Sequence, residues 1–148
     1  MTFGRSATVM ILVLGLGACT TTKSARDQIV RSGSNCVDQQ GAVYFEADSA
    51  EIGKEGLAVI KAAAKAAKSC KVTQVEVRGL ADATGAPDAN LDLSKRRARS
   101  VAAALSAAGF PAAEFRMTAV GDAGATTAGG QAAPLRRRAD VIVHLAPL

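Results

Sequence analysis

A carboxylate, an amide and a guanidinium fall close together in this chain, at Asp82, Asn90 and Arg97. Seven helical residues turn about 700°, roughly 20° short of two full turns, so Asn90 and Arg97 share one flank if the segment between them is helical. Asp82 lies in a loop just ahead of that segment, which would let all three converge at one sheet edge. Such a trio suits an amino-acid zwitterion, with the carboxylate facing the ammonium and the planar guanidinium gripping the carboxylate. The plainer alternatives are an ion pair that fixes the loop to the helix, and loop or cap hydrogen bonding by Asn90. Catalytic chemistry is not indicated. The single histidine, His144, stands alone in a terminal strand and reads as a packed or edge side chain. No Ser-His or Cys-His constellation is visible, and Glu46 and Asp48 form no recognisable acid/base pair. The spacing of Cys and His offers no metal site, and no cofactor is implied.

The elements that must position these residues can be read from periodicity. Val43-Tyr44-Phe45 begins a short strand, and Ser49, Glu51 and Glu55 give polar and acidic starts to a helix reaching about Ser69, with Leu57, Ile60, Ala64 and Ala67 at helical spacing. Val72 to Arg78 alternates as a half-buried strand does. After a loop from Gly79 to Ala86, Pro87 and Asp88 suit the first turn of a second helix that runs to about Ala108 and stops at Gly109. Its stripe of Leu91, Ala98, Val101, Ala102 and Leu105 faces the sheet, leaving Lys95, Arg96 and Arg99 toward solvent. Phe115 to Val120 and Ala139 to Leu145 read as the last two strands, separated by a Gly/Ala-rich loop from Gly121 to Pro134. The order β-α-β-α-β-β predicts an α+β fold, one sheet covered by helices in a single domain over residues 43–148.

Composition narrows the partners. Aromatic residues make up 3% of the chain and Trp is absent, so the stacking platforms of single-strand nucleic-acid binders are missing. The net charge of +5 includes Arg5 in a segment expected to be removed, which leaves 17 basic against 13 acidic residues. Two basic groups, Lys95 to Arg99 and Arg136 to Arg138, suit either an anionic polymer or simple solvation.

Behind Arg5, the apolar run Ala7 to Ala18 is too short for the ~20 residues of a membrane-spanning helix and reads as a signal-peptide core. It ends in Leu16-Gly17-Ala18-Cys19, which resembles the lipobox of bacterial lipoproteins. That resemblance implies removal of residues 1–18 and acylation of Cys19, whose chains each contribute ~0.8 kcal/mol per buried methylene. Thr20, in place of the Asp that favours retention at the inner membrane, implies the outer membrane. Residues 19–42 then read as a lipidated tether without sustained periodicity. Cys36 and Cys70 remain as an even pair in an oxidising compartment. They either bridge or stay as thiols, depending on strand order.

The stretch from Gly79 carries the most specific pattern: Gly79-Leu80-Ala81-Asp82, Gly85, Asn90, Leu93-Ser94 and Arg97-Ala98. With Tyr44-Phe45-Glu46-Ala47-Asp48 before it and Arg136-Arg137-Arg138-Ala139 after it, this closely resembles the OmpA C-terminal-like family, and within it the peptidoglycan-associated branch. The resemblance covers nearly everything from Val43 to Leu145. It implies non-covalent binding of the diaminopimelate end of the peptidoglycan stem, with Asp82 as ammonium acceptor, Arg97 as bidentate carboxylate clamp and Asn90 orienting the ligand. Glu46, where the family has Asp, and Arg138 from the last strand are the added contacts. It also implies an outer-membrane lipoprotein facing the periplasm, with Tol-system or other envelope proteins as further partners. Two departures stand out, Leu80 for the family His and Arg136 for the family Asn. They leave open an alternative, an envelope adaptor on the same fold with weakened wall binding.

Overall fold

A computed structural model describes residues 36–148; the expected signal peptide, the lipidated Cys19 and most of the tether lie outside the described residues. The elements run β1 (Gln39–Tyr44), α1 (Lys54–Ala67), β2 (Lys71–Gly79), α2 (Pro87–Ala107), β3 (Phe115–Ala119) and β4 (Arg138–Ala146), with single 3-10 turns at Ala112–Glu114 and Pro134–Arg136. The strands form one sheet in the order β1-β4-β2-β3. β4 is antiparallel to both its neighbours, while β2 and β3 are parallel and joined by the α2 crossover. No described helix is long and apolar enough to cross a membrane.

Alternation in β4 explains why the helices lie on one face. Ala139, Val141, Val143 and Leu145 are buried beneath Ile60 and Ala67 of α1 and Ala98, Val101 and Leu105 of α2, while the residues between them point to the open face. The approach of α2 to β2 is close enough to exclude a side chain at Gly79, where an added Cβ would lie 1.9 Å from the Ser94 carbonyl oxygen. α2 starts at Pro87, whose missing N–H is not needed there, and ends at Gly109 with φ at 101°. Beyond that glycine Phe110 donates its N–H to the Leu105 carbonyl and turns back into the core.

Three details differ from the sequence reading. β1 begins at Gln39, so the sheet takes Gln39 to Ala42 from the stretch assigned to the tether. α1 begins at Lys54, because the Ser49 hydroxyl accepts the Glu51 N–H in a local turn well before the helix. Leu57 and Leu91 are 42% and 37% exposed, so they leave the buried stripes in which the periodicity placed them. Of the two outcomes left open for Cys36 and Cys70, the structure has the bridge, with Cα atoms 5.7 Å apart.

Candidate functional site

The loops that follow β1, β2 and β3 gather at one end of the sheet, around the N-terminal half of α2. Here α2 buries three polar residues, Asn90, Ser94 and Arg97. Buried polar groups need partners, and each of these finds one in a loop. The Ser94 hydroxyl donates to the Leu91 carbonyl at 2.7 Å and accepts the Gly121 N–H at 3.0 Å. Gly121, with φ at 60°, in turn accepts the Ala81 N–H at 2.8 Å. Asn90 donates its amide to the Asp122 carboxylate at 3.0 Å.

Arg97 is fully buried, and its guanidinium serves all three of its nitrogens with backbone oxygens. Nε donates to the Ser49 carbonyl at 2.8 Å, Nη1 to Leu80 at 3.0 Å and Nη2 to Glu46 at 3.0 Å. The cation also stands 5.1 Å from the centroid of the Phe45 ring. Burial pulls its pKa below the ordinary guanidinium value, and the nearby Asp82 carboxylate partly offsets this. The loop it pins includes Asp48, a non-glycine residue at positive φ of 52°. Arg97 therefore ties the first two loops together from beneath.

Asp82 lies above this layer. One carboxylate oxygen accepts the Thr84 N–H at 3.3 Å, and the other faces Nη1 of Arg137 at 3.6 Å. Both side chains are part-exposed, at 14% and 35%, and the buried Nε of Arg137 has no hydrogen-bond partner among the described residues. The Glu46 side chain is exposed nearby; only its carbonyl is engaged.

Of the five residues expected at the site, Asp82, Asn90, Arg97 and Glu46 gather at this end of the sheet. They meet where the strands end and not at a lateral edge. Arg138 does not join them. It shares the open face of the sheet with Asp140, to which its Nε donates at 2.7 Å, and that carboxylate raises its pKa. The arginine that reaches Asp82 is Arg137. Alternation running back from buried Val141 and Ala139 assigns Arg138 to the open face, so this signal was present in the sequence. Asp122 was also missed, and its Gly/Ala-rich surroundings carried no signal for it. Leu80, at the family's His position, is buried and gives its carbonyl to Arg97.

A helix-backed sheet with charged and buried polar residues gathered where its strands end defines an α+β domain, and comparison with known proteins gives the family. The chain belongs to the OmpA family, whose pattern matches residues 44–139. It is 32% identical over 121 residues to the probable lipoprotein YiaD of Escherichia coli K12, covering 81% of this chain and 55% of that protein. It thus spans about half the length of this curated relative. Among solved structures, the peptidoglycan-associated lipoprotein from Burkholderia pseudomallei aligns with a TM-score of 0.61 at 27% identity, over 70% of this chain and 89% of that one. The OmpA-like domain of FopA1 from Francisella tularensis shares the fold, with a TM-score of 0.64 at 20% identity over 78% and 79% of the two chains. The expected α+β fold and family are both borne out.

Proposed function

We propose that this chain is an outer-membrane lipoprotein whose OmpA-family domain binds peptidoglycan non-covalently through the zwitterionic diaminopimelate end of the peptide stem. In this reading residues 1–18 are a signal peptide, Cys19 carries the acyl chains, and the tether lets the domain reach the wall from the periplasmic face. Family membership and the likeness to a probable lipoprotein and to a peptidoglycan-associated lipoprotein support it. The observation that carries it is the open pair of Asp82 and Arg137, one opposite charge for each end of an amino acid. Asp82 takes the ammonium and Arg137 the carboxylate. Arg97, expected as the carboxylate clamp, is fully buried with three of its five N–H groups on backbone carbonyls, so in this reading it holds the loops from beneath, and Asn90 with Asp122 supports one side. The protein acts by binding, not by catalysis.

The test is retention of the full chain, solubilised in detergent, on purified sacculi, with Asp82→Asn and Arg137→Gln alongside. Removing one side of a charged contact costs ~2–5 kcal/mol, so each variant should lose at least about thirtyfold in affinity while melting like the wild type. If the wild type washes off, the reading fails and the envelope adaptor takes its place. If it binds and both variants bind alike, the pair is the wrong site.

A further inference from the structure

Each edge strand of the sheet borders a groove walled by a helix, and the two grooves carry opposite charge. Beside β1, a groove of about 560 Å³ has Gly56 and Val59 in its wall and is lined as well by Glu46, Glu51 and Glu55. Beside β3, a groove of about 490 Å³ has Leu91 and Met117 in its floor and Lys95 and Arg99 on its rim. Among the described residues, none of these five charges has an opposite charge within 4.0 Å. Met117 is 55% exposed, and the outer backbone groups of both edge strands have no partner among the described residues. An open edge of this kind is a template for another strand.

The strand directions say which strand fits. β1 and β2 both run antiparallel to β4, and β3 runs parallel to β2, so β1 and β3 point the same way. A second copy in the same orientation can lay its β1 beside β3 as a parallel pair, repeating the pairing of β2 with β3. That places its α1 beside α2 on the same face of the sheet. The Glu51 and Glu55 rim then meets the Lys95 and Arg99 rim, with Leu91 and Met117 against Val59 on the helix face and Thr118 level with Ala42 on the open face.

We propose that copies of this chain associate head to tail, the α2–β3 edge of one against the α1–β1 edge of the next. The contact joins two different surfaces by translation, so it extends into a row and does not close as a two-fold dimer. The apolar linings lose water, and the rim charges fix register and partner.

Thiol cross-linking of the full chain with a short bismaleimide tests this, using Thr118→Cys and Ala42→Cys, which share the open face and one row of the sheet, with the unsubstituted chain setting the background. The two variants mixed should give a cross-linked dimer, each alone none, and one chain carrying both substitutions a ladder. Reversing one rim, Lys95→Glu with Arg99→Glu or Glu51→Lys with Glu55→Lys, should reduce the ladder roughly tenfold, and reversing both in one chain should restore it. Salt near 1 M, where screening acts within ~3 Å, should weaken it as well. Cross-links formed by either single variant alone, adducts that are not multiples of the chain mass, or a ladder indifferent to charge reversal would each overturn the proposal. All six substituted positions except Ala42 are exposed, and circular dichroism of each variant confirms that the fold is retained.

Discussion

At the end of the sheet where β1, β2 and β3 finish, α2 buries Asn90, Ser94 and Arg97, and hydrogen bonds from side chains hold three loops in place. At the opposite end, Leu105, Phe110 and Leu145 pack without buried polar side chains, and the Cys36–Cys70 disulfide closes the structure covalently. The difference separates two tasks. Apolar packing and a covalent bond hold the strands together wherever they are placed, but hydrogen bonds to specific carbonyls fix loop positions as well. The proposed ligand pair, Asp82 and Arg137, stands at the end that has the second kind of support.

This contrast can be broken most sharply at Arg97. Arg97→Met keeps much of the buried volume but takes a donor from three carbonyls, one buried and two part-buried, and should cost about 3–5 kcal/mol in equilibrium denaturation. A loss below about 1 kcal/mol would mean that the polar end is held by packing after all. At the other end, Cys36→Ala with Cys70→Ala opens a loop of 34 residues' separation and should cost about 3–4 kcal/mol. Hydrogen exchange in the first half of α2 should stay protected in that variant; if protection collapses there, the two ends are not separable. Asp82→Asn or Arg137→Gln should change stability by less than about 1 kcal/mol, since the pair is part-exposed and 3.6 Å apart, while sacculus binding is lost.

The smallest effect belongs to Asp38. The Leu145 N–H and His144 hold its carboxyl below the ordinary carboxylate range. A depressed pKa contributes stability that is present above the unfolded value, about 3.9, and lost as pH falls through the lower folded value. Asp38→Asn should therefore be slightly less stable than wild type near neutrality and converge with it in acid. A stability gap that persists at low pH would assign the effect to lost packing.

Much of this arrangement is legible in the sequence. Helical phase places Asn90 and Arg97 on one flank and separates Arg97 from its exposed basic neighbours, and both are buried as that phase requires. The phase cannot say that three carbonyls from distant loops occupy the guanidinium, because those partners are assembled only by the fold. β1 is hidden for a similar reason: Gln39-Gln40-Gly41-Ala42 has no alternation of its own, and its strand conformation comes from pairing with β4, about a hundred residues later. Leu57 and Leu91 show the converse, apolar residues in phase with a stripe but placed where the neighbouring edge strand leaves them open. The exchange of Arg138 for Arg137 reflects a strand phase that the buried alternation of β4 already encodes.

The disulfide also has a mechanical meaning. A pull arriving along the chain from its N-terminal side meets Cys36 three residues before β1 begins, and β1 is an edge strand held by β4 alone. Without the crosslink that pull would load the single ladder between β1 and β4. With it, part of the load passes through Cys70 into β2, which is flanked on both sides by β4 and β3. The Asp82–Arg137 pair lies beyond the far end of β2, so under the proposed function tension between the incoming chain and a bound wall runs lengthwise along the strands, and their ladders resist it together in shear.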